Sequence, residues 1–297
     1  MSPEQADANS QPPSEMFGLT DDELAIQRTV FASDALKDMV VVVTGATGGI
    51  GRAIAWLFAR LGAHVVLVGR NQTKLDALTA RMTQRALKVS SYAADIREPD
   101  AVGALFDAIW KVRGRVDSLI NSAGGQFPKA AIDVSVKGWK AVIDTNLNGT
   151  WYMMQAAAQH WRDAKRPGSI VNIVVVTTHG LYGIVHSIAA RSGVIGLSRS
   201  VAVEWAPLKI RVNCVAPGAI ETEGWNVYSP EARAAYPRSN PMMRAGSAWD
   251  IAEACVYLAG PSGGFVTGET LTVDGGGQPW GETWTTGKPP YFGGETA

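Results

Sequence analysis

From residue 39 to residue 276 the chain alternates short β-branched apolar runs with longer stretches of helical spacing. "MVVVVTG" (39–45) is apolar at successive positions and closed by glycine, so the pattern predicts a strand buried on both faces. "GIGRAIAWLFARLGA" (49–63) follows with apolar residues at Ile50, Ile54, Leu57 and Phe58, one stripe of a helix. The same alternation continues: "HVVLVGR" (64–70) as a second strand, "QTKLDALTARMTQRA" (72–86) as a helix, "LKVSSYAAD" (87–95) as a third strand. A helix over 101–114, a strand and turn over 116–125 and a helical region over 139–161 come next. "GSIVNIVVVTT" (168–178) is the fifth strand, and "IVHSIAARSGVIGLSRSVAVEWA" (184–206) is a long helix. Strands at 210–218 and 270–276 flank a helix over 250–260.

Seven strands alternating with helices predict an α/β fold: a doubly wound, mostly parallel seven-stranded sheet of Rossmann type, in three layers. No repeat and no linker interrupts 36–276, which is expected to be a single domain. Right-handed crossovers place the ligand crevice at the carboxyl ends of the strands, on the loops after Val43, Val68, Ile120, Val176 and Val215.

The first of those loops is "TGATGGIG" (44–51). Gly45 permits a tight turn, Gly49 a close approach to a pyrophosphate, and Gly51 close helix–strand packing. The helix N-terminus behind them offers free N–H groups and a positive dipole end. Thr47 and Ile50 belong to the same candidate cofactor loop. The second strand ends in Arg70 and Asn71, without the carboxylate that would hold a ribose 2′-hydroxyl. A guanidinium suits a 2′-phosphate, so the cofactor is expected to be NADPH in preference to NADH; a solvated loop arginine is the other reading of Arg70.

Composition narrows the classes. With 27 basic and 27 acidic residues the net charge is zero, which gives no footprint for nucleic acid or an anionic membrane. Cys214 and Cys255 lie in apolar runs and read as buried thiols rather than a disulfide framework. His64, His160, His179 and His186 form no metal-ligand pattern, so no metal site is expected. "MSPEQADANSQPPSEMFG" has neither a basic nor an apolar segment of a leader, and residues 1–35 read as a flexible arm. The terminal Glu-Thr-Ala is no peroxisomal address, and a cytoplasmic location is expected. Residues 277–297 are rich in Gly and Pro yet carry Trp280, Trp284, Tyr291 and Phe292, so this tail is expected to pack on the domain or on a neighbouring subunit.

"TGATGGIG", "NSAG" (121–124), "TNLNGT" (145–150), "VNCVAPGAIETEG" (212–224) and "VDGG" (273–276) resemble the short-chain dehydrogenase/reductase family, over most of 39–276. The resemblance implies cofactor contacts from Asp95 and Ile96 beside the adenine. It implies further contacts from Asn121, Ala123 and Gly124 beside the ribose, and from Pro217, Gly218, Ile220 and Thr222 over the nicotinamide amide and phosphates. It also implies a catalytic role for Asn146 and a homotetramer or homodimer.

The family's catalytic Ser-Tyr-Lys set is missing. The serine's place falls on Val174 or Val175, the tyrosine's on Ser187 and the lysine's on Arg191. "GGQF" (124–127), "SVKGWKAVIDTNLNGTWYM" (135–153) and "HSIAARSGV" (186–194) resemble the trans-2-enoyl-CoA and 2,4-dienoyl-CoA reductase branch. That branch implies NADPH-dependent reduction of a C=C bond conjugated to a thioester. Charge then spreads into an enolate that needs hydrogen-bond donors more than a strong acid.

The roles expected on that basis are as follows. Arg191, one turn after Ser187, holds the nicotinamide ribose and keeps the site positive. Ser187 donates to the thioester oxygen or holds a water, Asn146 holds the same water chain, and His186 or Tyr182 supplies the α-proton. A helix cap or surface role is the plainer reading of Ser187 and Arg191. Residues 222–245, with Trp225, Tyr228, Tyr236, Met242 and Met243, read as a lid over an apolar substrate. Coenzyme A phosphates could meet Arg238, Arg244 or a neighbouring subunit. Two other functions fit the missing Ser-Tyr-Lys set: an inactive NADP(H)-binding scaffold, and a ketone reductase or alcohol dehydrogenase with Tyr182 as acid.

Overall fold

The computed structural model describes residues 17–178 and 180–281, with Thr285 and Pro289 as isolated positions. Strands β1 (Val40–Thr44), β2 (His64–Gly69), β3 (Val89–Ala93), β4 (Ser118–Asn121), β5 (Gly168–Ile173), β6 (Ile210–Pro217) and a last strand over Thr270–Val273 form one sheet. Its order is β3-β2-β1-β4-β5-β6 and then the last strand, and every pairing is parallel.

The apolar runs are continuous because each strand is covered on both faces. Val41, Val43, Val65, Leu67, Ile120, Val171 and Val215 pack under one helical layer. That layer is α2 (Gly49–Arg60), α3 (Gln72–Gln84) and the helix Ala248–Ala259. Val40, Val42, Val66, Val68, Leu119, Ile170 and Val212 face the other side. There they meet α4 (Pro99–Arg113), α6 (Gly149–Asp163) and the C-terminal half of α7 (Val185–Glu204). The three layers are those expected. The strand order reverses between β1 and β4, which opens a crevice at their carboxyl ends.

The helical region expected over 139–161 is two helices. α5 (Val136–Ile143) and α6 are joined by a π turn, Asp144–Asn148, which carries Asn146. π turns inside helices recur at functional sites because they redirect one side chain without ending the helix. A short second sheet, β7 (Ile220–Glu221) with β8 (Gly246–Ser247), closes the base of the lid. Two-residue strands leave no readable pattern. Helix α8 (Pro230–Ala235) lies within the lid; the helix Ala248–Ala259 is α9 and the last strand is β9.

The flexible arm is corrected for residues 17–35. α1 (Asp21–Ile26) starts in a capping box, with the Thr20 hydroxyl on the Glu23 N–H and the Glu23 carboxylate on the Thr20 N–H. Leu24 is 1% exposed in the core, and Trp56 Nε1 donates to Asp21 (2.9 Å). Arg81 and Arg52 also face Asp21. The polar composition concealed one apolar anchor and one buried carboxylate. Residues 1–16, and Trp284, Tyr291 and Phe292 of the tail, lie outside the described residues, as does His179. At the start of the tail Gln278 donates from its backbone to Asp274 and accepts from the Thr272 hydroxyl. Among the described residues no helix is long and apolar enough to cross a membrane.

Candidate active site

The loop between β1 and α2 fits a dinucleotide. Gly45 has φ +65°, and a Cβ there would stand 2.7 Å from Ala123 Cα. A Cβ on Gly51 would stand 2.3 Å from the Gly45 carbonyl oxygen. Both positions therefore require glycine. No side chain caps α2, whose first N–H groups are left for an anion, and Thr44 Oγ1 accepts from the Ser122 and Ala123 N–H groups, tying β1 to the turn after β4. A Cβ on Gly49 would meet the Thr222 side chain at 2.6 Å, so the segment after β7 lies directly over the loop. Thr47 and Ile50 are half-buried in this loop. Pro217, Gly218 and Ile220 follow along the end of β6 into β7, where the absent Cβ of Gly218 gives Asp274 its space.

Arg70 is exposed at the end of β2 and near Asp95, whose carboxyl it helps to keep ionised. The main partner of Asp95 is Arg97, which holds it with its Nε at 2.9 and 3.0 Å and pulls its pKa below the usual carboxylate range. Ile96 is buried against Gly149.

Two of the side chains expected at the cofactor have partners within the protein. Asn71 spends its side-chain oxygen as the N-cap of α3, on the Lys74 N–H (2.9 Å). Asn121 points into the fold, where its Nδ2 donates to Asn172 (2.8 Å) and Asn172 donates to Ser198 (2.9 Å). The side chain of Asn121 thus joins β4, β5 and α7 instead of facing the crevice.

Ser187 and Arg191 do share one face of α7 and do meet. Arg191 Nε donates to Ser187 Oγ (3.2 Å), and its Nη1 donates to the Ile173 and Val174 carbonyls (2.8 and 3.3 Å). Ser187 is fully buried, and its hydroxyl donates to Gln126 Oε1 (2.7 Å). Gln126 Nε2 in turn donates to the Tyr228 hydroxyl from the lid. Burial pushes the Arg191 guanidinium down to about 10, with Tyr228 opposing the shift, so Arg191 stays charged at neutral pH.

The other expected catalytic groups fall elsewhere. Asn146 is buried and places both ends of its amide on Gly125: Oδ1 accepts from the Gly125 N–H and Nδ2 donates to the Gly125 carbonyl, each at 2.9 Å. Its side chain therefore fixes the loop that carries Gln126. Tyr182 is 92% exposed in a turn before α7, outside the chain of hydrogen bonds. His186 is fully buried, with Nδ1 accepting from the Ser187 N–H (2.8 Å) and its ring edge-on to Phe127 at 4.3 Å. Neither belongs to the run of hydrogen bonds from Arg191 to Tyr228.

Sequence reasoning missed Gln126, and it read Tyr228 only as part of the lid. They stand 61 and 102 positions from Ser187 and Gln126, respectively, along the chain. The only available signal was a glutamine in "GGQF" and an aromatic in the lid. The lid holds Tyr228 through Tyr236, whose ring lies edge-on at 5.6 Å, and Tyr236 meets Trp225 at 4.9 Å. Phe17 of the arm packs against Trp225, its ring tilted at 50° with centroids 5.7 Å apart. Met242 is exposed, and Arg244 faces Asp250 at 3.3 Å.

Residues 45–278 match a family described as enoyl-(acyl carrier protein) reductase. The chain is 37% identical over 246 residues to a probable 2,4-dienoyl-CoA reductase of Bacillus subtilis, covering 81% of this chain and 97% of that one. It is 38% identical over 253 residues to 3beta-hydroxysteroid dehydrogenase 1 of Eggerthella lenta, covering 82% and 95%. Among solved structures, a citronellol catabolism dehydrogenase of Pseudomonas aeruginosa PAO1 superposes with a TM-score of 0.76 at 38% identity, over 84% of this chain and 99% of that one. With this sheet order, this glycine loop and these relatives, the chain belongs to the short-chain dehydrogenase/reductase family of oxidoreductases.

Proposed function

We propose that the chain reduces the C=C bond of an enoyl- or dienoyl-CoA, or a related conjugated carbonyl compound, at the expense of NADPH. NADPH, when bound, supplies the hydride. The glycine loop and the uncapped start of α2 would hold its pyrophosphate, Arg70 its 2′-phosphate and Arg191 its nicotinamide ribose.

The observation that carries this reading is the state of the tyrosine–lysine positions. Ser187 is a weak acid whose one proton is already committed to Gln126, and Arg191 is a charge held in place rather than a proton donor. Such a pair cannot protonate a ketone oxygen as it becomes a hydroxyl. It can keep a fixed positive charge and oriented donors beside an enolate. The 2,4-dienoyl-CoA reductase named above, and those of Rattus norvegicus and Mus musculus at 37% and 36% identity, support the same chemistry.

The steroid dehydrogenase relative favours a second reading, oxidation or reduction at a carbonyl. Incubation with NADPH and a panel of trans-2-enoyl-CoA, 2,4-dienoyl-CoA and simple ketone substrates separates the two when products are identified by mass. A reduced acyl-CoA is expected. A hydroxyl product would establish carbonyl reduction, and NADPH binding without turnover would leave a scaffold.

A further inference from the structure

The hydrogen bonds that start at Arg191 run in one direction. Arginine has donors only, so Ser187 Oγ accepts from it and must send its single proton onward. That proton goes to Gln126 Oε1, which leaves the Gln126 amide nitrogen to donate to the Tyr228 oxygen. Tyr228 therefore accepts from inside the protein, and among the described residues its own O–H has no acceptor. The chain begins on a desolvated guanidinium and ends on an unspent phenolic proton. Each link polarises the next, and a chain of this sense strengthens its last donor.

We propose that Tyr228 is a catalytic residue whose hydroxyl donates to the carbonyl oxygen of the bound thioester as negative charge builds there. This rests on the conjugate-reduction reading above. For an enoyl thioester, the hydride forms a C–H bond at the β-carbon while the C=C electron pair moves through the α-carbon onto the thioester oxygen. Tyr228 holds that oxygen by a hydrogen bond and keeps its proton. The carbonyl then re-forms as the α-carbon takes a proton from water, and the hydroxide left is neutralised by solvent.

Gln126 is a positioning residue, since it acts through Tyr228. Two features fix the arrangement: Asn146 pins Gly125 next to Gln126, and Tyr236 packs edge-on to the Tyr228 ring. The donor thus comes from the lid, so it is in place only when the lid is down. This couples substrate enclosure to activation.

Tyr228→Phe keeps the ring against Tyr236 and removes only the hydroxyl. With wild-type enzyme turning over an enoyl- or dienoyl-CoA, this variant is expected to lose about 100-fold in kcat, the loss seen when one oxyanion donor is removed. Its KM for the acyl-CoA and its Kd for NADPH, read by nucleotide fluorescence, stay near wild type. Gln126→Ala is expected to lower kcat in the same sense, and the double variant to be no slower than Tyr228→Phe alone, because the two act as one unit. Retention of wild-type kcat by Tyr228→Phe would overturn the proposal and leave the conjugate-reduction reading intact. Wild-type enzyme inert on every enoyl and dienoyl thioester would overturn both.

Discussion

Arg191 Nη2 lies 2.9 Å from the place where a Cβ on Gly124 would stand, and Asn146 Oδ1 lies 3.2 Å from it. Gly124 is therefore the space that lets the guanidinium and the asparagine close on the same loop. Arg191 cannot swing aside freely, because two backbone carbonyls and Ser187 hold it. Gly124→Ala is expected to displace Arg191 by a few tenths of an ångström or to push the 124–126 loop off Asn146. Either shift breaks the alignment from Arg191 to Tyr228. Misplacement on this scale costs roughly ten- to a hundredfold in turnover. Steady-state kinetics beside a thermal melt would check it, with kcat falling while Tm moves little.

In the proposed reaction Arg191 acts as a fixed charge, and a lysine in its place is expected to serve less well. Burial lowers the pKa of Arg191 to about 10 from a high starting value. Lysine begins near about 10.4 and, desolvated at the same site, falls further. Arg191→Lys is expected to lose kcat/KM progressively as pH rises between about 7 and about 9, a range in which wild type stays nearly flat. Lysine also lacks the fork that reaches Ser187 and the Ile173 carbonyl together, so the variant is slower at every pH. A pH profile of kcat/KM for both proteins tests the charge separately from the geometry.

The sheet and the glycine loop could be read from the sequence because their causes are local. A strand such as β1 is apolar at four successive positions and buried at all five, and Gly45 and Gly51 sit where a Cβ has no room. Much of the site could not be read that way. Gln126 and Tyr228 are brought to Ser187 by the crossover after β4 and by the lid, over separations no periodicity records. Asn121 and Asn71 carry structural roles that their place in a motif does not record: one amide satisfies a buried network and the other caps a helix. The arm was misjudged because one leucine and one aspartate outweigh its polar composition.

Arg70 is the residue proposed to select NADPH over NADH. It is exposed, sits at the end of β2 and makes no hydrogen bond among the described residues, so its guanidinium is available to a 2′-phosphate. A charge-assisted fork of this kind is worth about 1.5–3 kcal/mol, or roughly ten- to a hundredfold in affinity. Arg70→Ala is expected to weaken NADPH binding by about that factor while leaving NADH binding nearly unchanged. Fluorescence titrations with both nucleotides measure the ratio directly. An unchanged ratio would assign Arg70 to solvent alone.

His64 sets an acid limit on stability far from the site. It opens β2, and its ring meets Ser90 Oγ on β3 at 3.0 Å. Burial, and then the nearby Arg113 and Lys88, lower its pKa to about 4. In the unfolded chain the ring takes its proton near about 6.5. Between those values the unfolded state binds more protons than the folded one. The contribution is therefore complete above about 6.5 and is lost as pH falls toward about 4. After allowance for solvent screening at a half-buried ring, the loss is about 1–2 kcal/mol. His64→Gln keeps a partner for Ser90 without a titrating group. The gap in urea-unfolding free energy between about pH 7.5 and about pH 4.5 is expected to shrink by about 1–2 kcal/mol in that variant. An equal gap in both proteins would show that other groups carry the acid sensitivity.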